Sequence, residues 1–187
     1  CRIRMSHFKG GSQLEILIVF ETVEGQTRKI VDIMAARARA AGHGVHLFDA
    51  ADRLATLSVV GIDKIILAAP VHERRHPPSF EVLVGASLKE LASCPTFFVS
   101  VSLKAAFREG QEEARDYLTE MKMRTGFEPD VEILAAGAVR TDSYGYFESQ
   151  IVKNVVLDGR DISLMDGVRE FTAWDKLGTS VDEFLAS

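Results

Sequence analysis

The residues with the clearest chemical pattern form a loop between a buried apolar run and an amphipathic segment. The apolar run ends at Phe20, and the loop Thr22-Val23-Glu24-Gly25-Gln26-Thr27 leads into the segment 26–41. Hydroxyl groups can donate hydrogen bonds to an anion, and a glycine lets the backbone approach it closely. The free N–H groups of a helix N-terminus favour an anion without any lysine. The pattern therefore predicts a phosphate-binding loop, although the same residue types are also typical of an ordinary helix cap.

Two acids, Glu21 and Glu24, lie beside and within this loop. If backbone N–H groups hold the anion, side chains at alternate positions can point into water, so the acids are compatible with a phosphate site. The loop lacks the GxxxxGK[ST] pattern of nucleotide-binding phosphate loops and the dinucleotide pattern GxGxxG. The sequence excludes these two kinds of loop at this position.

Elements that alternate between strand and helix must position the loop. Four more apolar, β-rich runs follow the first, at 44–49, 64–70, 96–103 and 131–139. Between them, helical spacing predicts helices over 26–41, ending at Gly42, over 79–91 with Ser79 as its cap, and over 109–124, ending at Gly126. A final helix is predicted over 174–186.

Apolar strands that alternate with helices indicate an α/β fold with a parallel sheet covered on both faces. Five strands predict the doubly wound order 2-1-3-4-5, in which ligands bind at the carboxyl ends where the strand order reverses. The stretch between the fifth strand and the last helix is too long for an ordinary connection. We therefore expect a disordered lead over 1–14, one domain over 15–187 and a long insertion at about 140–170 after strand five.

Composition limits the classes of partner. The chain has 187 residues, with 22 Lys+Arg against 27 Asp+Glu and a formal net charge of -5, so its charge does not favour nucleic acid. No apolar run is long enough for a membrane span, and the two cysteines, Cys1 and Cys94, are not expected to form a bridge. We expect a cytoplasmic protein without a metal site, and the sequence leaves a homo-oligomer open.

Longer stretches carry a resemblance to a known family. The loop resembles the FMN-phosphate loop of flavodoxins, and ETVEGQTRKI, AAPVHERRHPPSF, FFVSVSLKAA, AAGAVRTDSYGYFE and EFTAWDKL occur in that order. Together they resemble the flavodoxin-type, menaquinone-dependent protoporphyrinogen oxidases of bacteria. That family has an acid where Glu24 stands. The resemblance implies a flavodoxin-like fold, an FMN cofactor, protoporphyrinogen IX or another small redox substrate, and a quinone or other electron acceptor.

The same resemblance implies which residues contact FMN. Residues 22–27 would hold its phosphate, and two further loops would flank the isoalloxazine ring. Flavodoxins usually stack an aromatic ring on the flavin, whereas this chain offers only imidazole and guanidinium planes in the second loop, which could also be an ordinary solvated loop. A positive group near the flavin would stabilise the reduced anionic ring. The second loop comprises Pro70, Val71, His72, Glu73, Arg74, Arg75 and His76, and the third comprises Ser100, Val101, Ser102, Leu103 and Lys104.

The insertion supplies the substrate residues that the resemblance implies. Arg140 would pair with a propionate of the porphyrinogen, and Tyr144, Tyr146 and Phe147 would face the flat macrocycle. Anchoring of the insertion to the core is an alternative role for these aromatic residues. Acids balance bases across this segment, so we expect at most a weak peripheral membrane contact. No catalytic acid or base is assigned.

Two competing functions are compatible with the sequence. One is a flavodoxin-type electron carrier or quinone reductase without porphyrin chemistry. The other is a flavin-free flavodoxin-fold binding module, which Glu24 and the missing stacking aromatic both favour.

Overall fold

The computed structural model describes residues 12–140, 164–165 and 168–187. Five parallel strands form the central sheet, in the order β2-β1-β3-β4-β5, which confirms the predicted order. The strands are β1 (Glu15–Phe20), β2 (Gly44–Asp49), β3 (Lys64–Pro70), β4 (Thr96–Ser102) and β5 (Val131–Ala136). The central strands β1, β3 and β4 are buried over almost their whole length because their side chains are apolar on both faces.

Helices cover both faces of the sheet. They are α1 (Gln26–Ala40), α2 (Pro78–Ala86), α3 (Leu88–Leu91), α4 (Gln111–Thr125) and α5 (Trp174–Ala186). One core cluster joins the sheet to α1 and α5, through residues such as Met34 and Phe184. The other joins the opposite face to α2 and α4, through Phe80 and Met121. The predicted covering of both faces is therefore confirmed.

The boundaries of the helices agree with the sequence where glycine ends them. They differ over 79–91, where the predicted single helix begins at a proline and is divided at Ser87 into α2 and α3. Gly42 and Gly126 adopt left-handed φ values of 89° and 75° after α1 and α4, as a helix end requires. The predicted cap at Ser79 is wrong. The helix α2 begins one residue earlier, at Pro78, since proline has a helical φ and needs no hydrogen bond for its missing N–H.

A second, small sheet follows the first. The predicted strand 131–139 ends early, at Ala136, and β6 (Ala138–Arg140) begins after Gly137. The strand β6 pairs antiparallel with β8 (Val168–Glu170), which also pairs with β7 (Leu164–Met165). Gly137 belongs to both regions, because its N–H donates to Ser102 of β4 and its carbonyl accepts from Phe171.

Parts of the sequence predictions fall outside the structure. Most of the lead 1–14 and of the insertion 140–170, including Tyr144, Tyr146 and Phe147, lies outside the described residues. Among the helices that are described, none has the length and apolar character needed to cross a membrane. The same residues contain no group of side chains suited to hold a metal ion.

Candidate functional site

The first loop leaves β1 at the point where the sheet order reverses, because β1 lies between β2 and β3. Gly25 has a left-handed φ of 92° and stands at the N-terminus of α1. Its N–H donates to Thr22 Oγ1 at 3.1 Å, which folds the loop back on itself. No side chain caps α1, and its first turn contains no acid. The loop therefore lacks the side-chain cap that the simpler interpretation needs, and the first N–H groups of α1 stay available to an anion.

The two acids near this loop have different surroundings. The Glu21 side chain is buried, and both of its carboxylate oxygens accept from Ser79 Oγ, at 2.7 and 2.8 Å. This carboxylate lies at the N-terminus of α2, where a negative charge is favourable. Glu24 is exposed. Glu21 thus joins the first loop to α2 through Ser79.

The second loop is a tight hairpin rather than an open charged run. His72 and Arg75 exchange backbone hydrogen bonds of 2.9 and 3.1 Å. The residues between them, Glu73 and Arg74, have left-handed φ values of 49° and 67°. Non-glycine residues rarely adopt this conformation, and it persists where the surrounding structure imposes it. The hairpin therefore holds four exposed polar residues, His72 to Arg75, at the carboxyl end of β3.

A buried carboxylate holds this hairpin on the protein. The Glu81 side chain is 5% exposed, and it accepts from Arg75 Nη2 at 2.6 Å and from Arg124 Nη2 at 2.7 Å. Burial alone would raise the pKa of the Glu81 carboxyl, but hydrogen bonds from Arg124 and Arg75 outweigh burial and lower that pKa. Glu81 is consequently ionised at neutral pH and links the hairpin, α2 and the end of α4.

His76 lies beneath the hairpin, with its side chain inside the core. Its ring is fully buried, 5.6 Å from the Phe98 ring centroid, and Nε2 is 2.9 Å from Ser100 Oγ. Within the described residues Nδ1 has no hydrogen-bond partner. Burial lowers the pKa of His76 to about 4, so the ring is neutral at physiological pH. Of the two histidines predicted to offer an imidazole plane, only His72 has an exposed side chain.

The third loop lies directly beside the second. Val71 N–H donates to Val101 O at 2.7 Å, which joins the carboxyl ends of β3 and β4. Ser102 Oγ accepts from Ala105 N–H at 3.2 Å and caps a short 3₁₀ turn over 103–106. Lys104 in this turn places Nζ 2.9 Å from Glu113 Oε2 of α4. The structure therefore brings the second and third predicted loops together, with cationic side chains on both.

Sequence reasoning missed the residues that fasten the first loop to the end of the chain. Gln26 Nε2 donates to Thr172 Oγ1 at 2.9 Å, and Thr172 Oγ1 donates to Ala136 O at 2.7 Å. Lys29 pairs with Glu170 in the same region. Gln26 and Thr172 lie 146 positions apart, and no periodic pattern relates residues at that separation. Glu170 ends the predicted insertion and Thr172 follows it, so this part of the chain lies against the predicted phosphate loop and the start of α1.

Comparisons with known proteins agree with this architecture. The flavodoxin domain family matches residues 17–161. The protoporphyrinogen IX dehydrogenase [quinone] of Escherichia coli strain K12 is 23% identical over 172 residues, which cover 91% of this chain and 94% of that protein.

Oxidised flavodoxin 1 from Bacillus cereus has a TM-score of 0.52 and 16% identity, with 92% of this chain and 97% of that chain covered. A Fusobacterium nucleatum flavodoxin bound to flavin mononucleotide has a TM-score of 0.49 and 14% identity. The match covers 93% of this chain and 96% of that chain. The likeness to the Bacillus protein confirms the predicted fold, and the family match supports the FMN prediction. Since that match extends over most of the sequence, the chain belongs to the flavodoxin domain family.

Proposed function

We propose that the protein is an FMN-dependent oxidoreductase that oxidises protoporphyrinogen IX and passes the electrons to a quinone. The observation that carries the FMN part is the uncapped N-terminus of α1 behind left-handed Gly25, at the switch point of a flavodoxin-type sheet. The likeness to the Escherichia coli dehydrogenase supports the oxidoreductase class and suggests the specific substrate.

The residues of the first loop fit a phosphate group. A Cβ atom placed on Gly25 would meet nothing within 4 Å, so the space beside this residue is open. Thr22 Oγ1 accepts from Gly25 N–H, which leaves the hydroxyl hydrogen of Thr22 free to donate to an anion. The N–H groups at the start of α1 point the same way as the positive end of the helix dipole. Thr22 and these N–H groups would bind the phosphate.

The second and third loops would hold the ring. When bound, FMN supplies two-electron chemistry: protoporphyrinogen IX loses six electrons and six protons in three such steps, and three quinones take them up as quinols. Arg74 and Lys104, which are exposed over 79% and 50% of their side chains, would stabilise negative charge on the ring. Neutral His76, bonded to Ser100, would support the loops from below.

An FMN titration of paired glycine variants tests the phosphate loop. Gly25 and Gly42 flank the two ends of α1 with similar left-handed φ values and similarly open surroundings. Alanine at either position strains the backbone by about 1–2 kcal/mol, so Gly25→Ala and Gly42→Ala should lower thermal stability alike. We expect only Gly25→Ala to weaken FMN binding, by about tenfold or more, which is the effect of about 1.4 kcal/mol.

The outcomes separate the competing functions. No saturable FMN binding to the folded wild-type protein would overturn the proposal and favour a flavin-free binding module. Where FMN binds, an anaerobic assay with protoporphyrinogen IX and a menaquinone analogue should yield fluorescent porphyrin only when the acceptor is present. Reduction of the acceptor by another donor, with no porphyrin formed, would favour an electron carrier or quinone reductase instead.

A further inference from the structure

A single carboxylate contacts both loops that we predict to flank the flavin ring. Glu113 lies in the first turn of α4. Its Oε2 is 2.9 Å from Lys104 Nζ of the third loop, and its Oε1 is 4.0 Å from Arg74 Nη2 of the second. The Tyr117 hydroxyl, one turn further along α4, donates to the same Oε1. No other carboxylate in the described part of the chain pairs with residues of both loops.

The surroundings of Glu113 keep it ionised. Hydrogen bonds from Tyr117 and Lys104 lower the pKa of the Glu113 carboxyl and outweigh the opposing effect of burial. The N-terminus of α4 adds a favourable dipole. Burial, together with the adjacent Glu113 carboxylate, raises the pKa of Tyr117 to about 12, so this phenol stays protonated and remains a donor. The group therefore combines two cations, one anion and one neutral donor.

We propose that Glu113 is a positioning residue that fixes Arg74 and Lys104 beside the flavin site and reduces the net positive charge that the two loops present there. This inference rests on the proposed function. Two cations on adjacent loops repel each other, and a shared carboxylate holds them near one another. The same carboxylate offsets part of their field, so it sets how strongly the site favours a reduced, negatively charged ring over an oxidised, neutral one.

The chain contains a matched control for this charge. Glu112 precedes Glu113 in the first turn of α4 and is exposed. Among the described residues Glu112 has no ion-pair or hydrogen-bond partner, whereas Glu113 contacts both loops. Glu113→Gln and Glu112→Gln each remove one negative charge from the first turn of α4. Only the first variant removes the link between the loops.

The first readout is the ratio of the dissociation constants for oxidised and reduced FMN. We expect Glu113→Gln to raise this ratio by about three- to tenfold relative to the wild type, since one nearby negative charge is lost and both cations remain. A tenfold change corresponds to a positive shift of about 30 mV in the two-electron midpoint potential. Glu112→Gln should change the ratio by less than about twofold, because an exposed charge without contacts is screened.

The second readout needs no flavin. Lys104 is a trypsin site, and its 2.9 Å ion pair with Glu113 restrains the segment that contains it. Limited trypsin digestion of the protein without FMN should cleave after Lys104 about threefold faster in Glu113→Gln than in Glu112→Gln. Mass spectrometry of the first peptides released identifies the site.

Each outcome decides one of the two proposals. Equal potentials and equal cleavage rates in the two variants would overturn the role of Glu113 and leave the proposed function intact. A negative shift of the potential in Glu113→Gln would overturn the charge part of the inference. Failure of the wild-type protein to bind FMN would overturn the proposed function, and the inference would fall with it.

Discussion

At the scale of single residues, His76 shows how burial changes the role that a side chain can have. Its sequence neighbours Arg74 and Arg75 are exposed on the hairpin. The His76 ring packs against Phe98 and forms a hydrogen bond with Ser100. A buried imidazole is more stable in its neutral form, and burial lowers the pKa of His76 to about 4, while the nearby charges of Glu81 and Arg124 act in opposite directions. His76 is therefore a neutral support of the predicted site at physiological pH.

This neutral histidine predicts a pH dependence of stability. The pKa falls from an ordinary value of 6.5 to about 4 on folding, so the unfolded chain binds the extra proton between these two values. The contribution of neutral His76 to the free energy of unfolding is therefore fully present above pH 6.5. It is lost as the pH falls from 6.5 towards 4. At pH 5 the loss attributable to His76 should be about 2 kcal/mol.

Urea unfolding at pH 7.5 and pH 5 measures this loss. In His76→Gln the difference in unfolding free energy between the two pH values should shrink by about the same 2 kcal/mol. An unaltered pH dependence in His76→Gln would show that this residue does not titrate on unfolding.

At the scale of elements, a few charged side chains hold the loops on rigid helices. Glu81 of α2 receives hydrogen bonds from Arg75 of the hairpin and from Arg124 near the end of α4. Glu113 of α4 contacts Lys104 and Arg74. Both carboxylates lie on helices whose apolar faces are buried against the sheet. The predicted ring-binding loops are thus positioned by helices that pack against one face of the sheet.

Loss of the buried carboxylate should be costly. Glu81→Gln leaves two arginines without their shared, nearly buried partner, and breaking a buried pair typically costs about 3–5 kcal/mol. The Arg75 side chain is half exposed and that of Arg124 about one-third exposed. We therefore expect Glu81→Gln to lower the free energy of unfolding by about 2–3 kcal/mol. Thermal unfolding of the variant measures it.

Glu120 offers a matched control for that measurement. It pairs with the same Arg124 at 3.2 Å, but its side chain is 57% exposed. An exposed pair within one helix contributes only about 0.3–0.5 kcal/mol, so Glu120→Gln should change the melting temperature little. Similar effects of the two variants would contradict a special role for the buried carboxylate.

At the scale of the whole molecule, the end of the chain closes onto its beginning. After β8 the chain places Thr172 between Gln26 of the first loop and Ala136 of β5. The first and last helices, α1 and α5, share one core cluster with the sheet. The predicted phosphate loop is therefore fastened, through Thr172, to the end of β5 and to the segment that leads into α5.

This closure predicts that Thr172 affects the first loop. Thr172→Val keeps the shape of the side chain and removes two hydrogen bonds, so we expect a stability loss of about 1–3 kcal/mol. The loop loses its contact with β5, and FMN affinity should fall by about three- to tenfold. Thr179→Val, on the exposed side of α5, is the control. FMN titration that gives the same affinity for both variants would contradict this coupling.

Local patterns predicted much of the architecture. Runs apolar on both faces identified the buried strands, as at 64–70, because central strands of a parallel sheet meet helices on either side. Gly42 and Gly126 marked helix ends because a left-handed residue is favoured there. The pairing of a glycine loop with a following helix identified the first loop as a candidate anion site. These features depend on neighbours within about one helical turn or one strand.

Which polar side chains meet depends on contacts between distant parts of the chain. The sequence shows His76, Glu81 and Glu113 as separate residues, and the fold makes the first a buried neutral base and the others links between loops. Likewise it joins Gln26 to Thr172, 146 positions away. The burial of a side chain and the distances between charges depend on residues that are distant in sequence, so the residues next to a position do not predict them. Local sequence patterns predicted the five strands of the parallel sheet, most of the helices that cover it and the loop that follows β1. The packing determined how the charges around that loop and its neighbours are arranged.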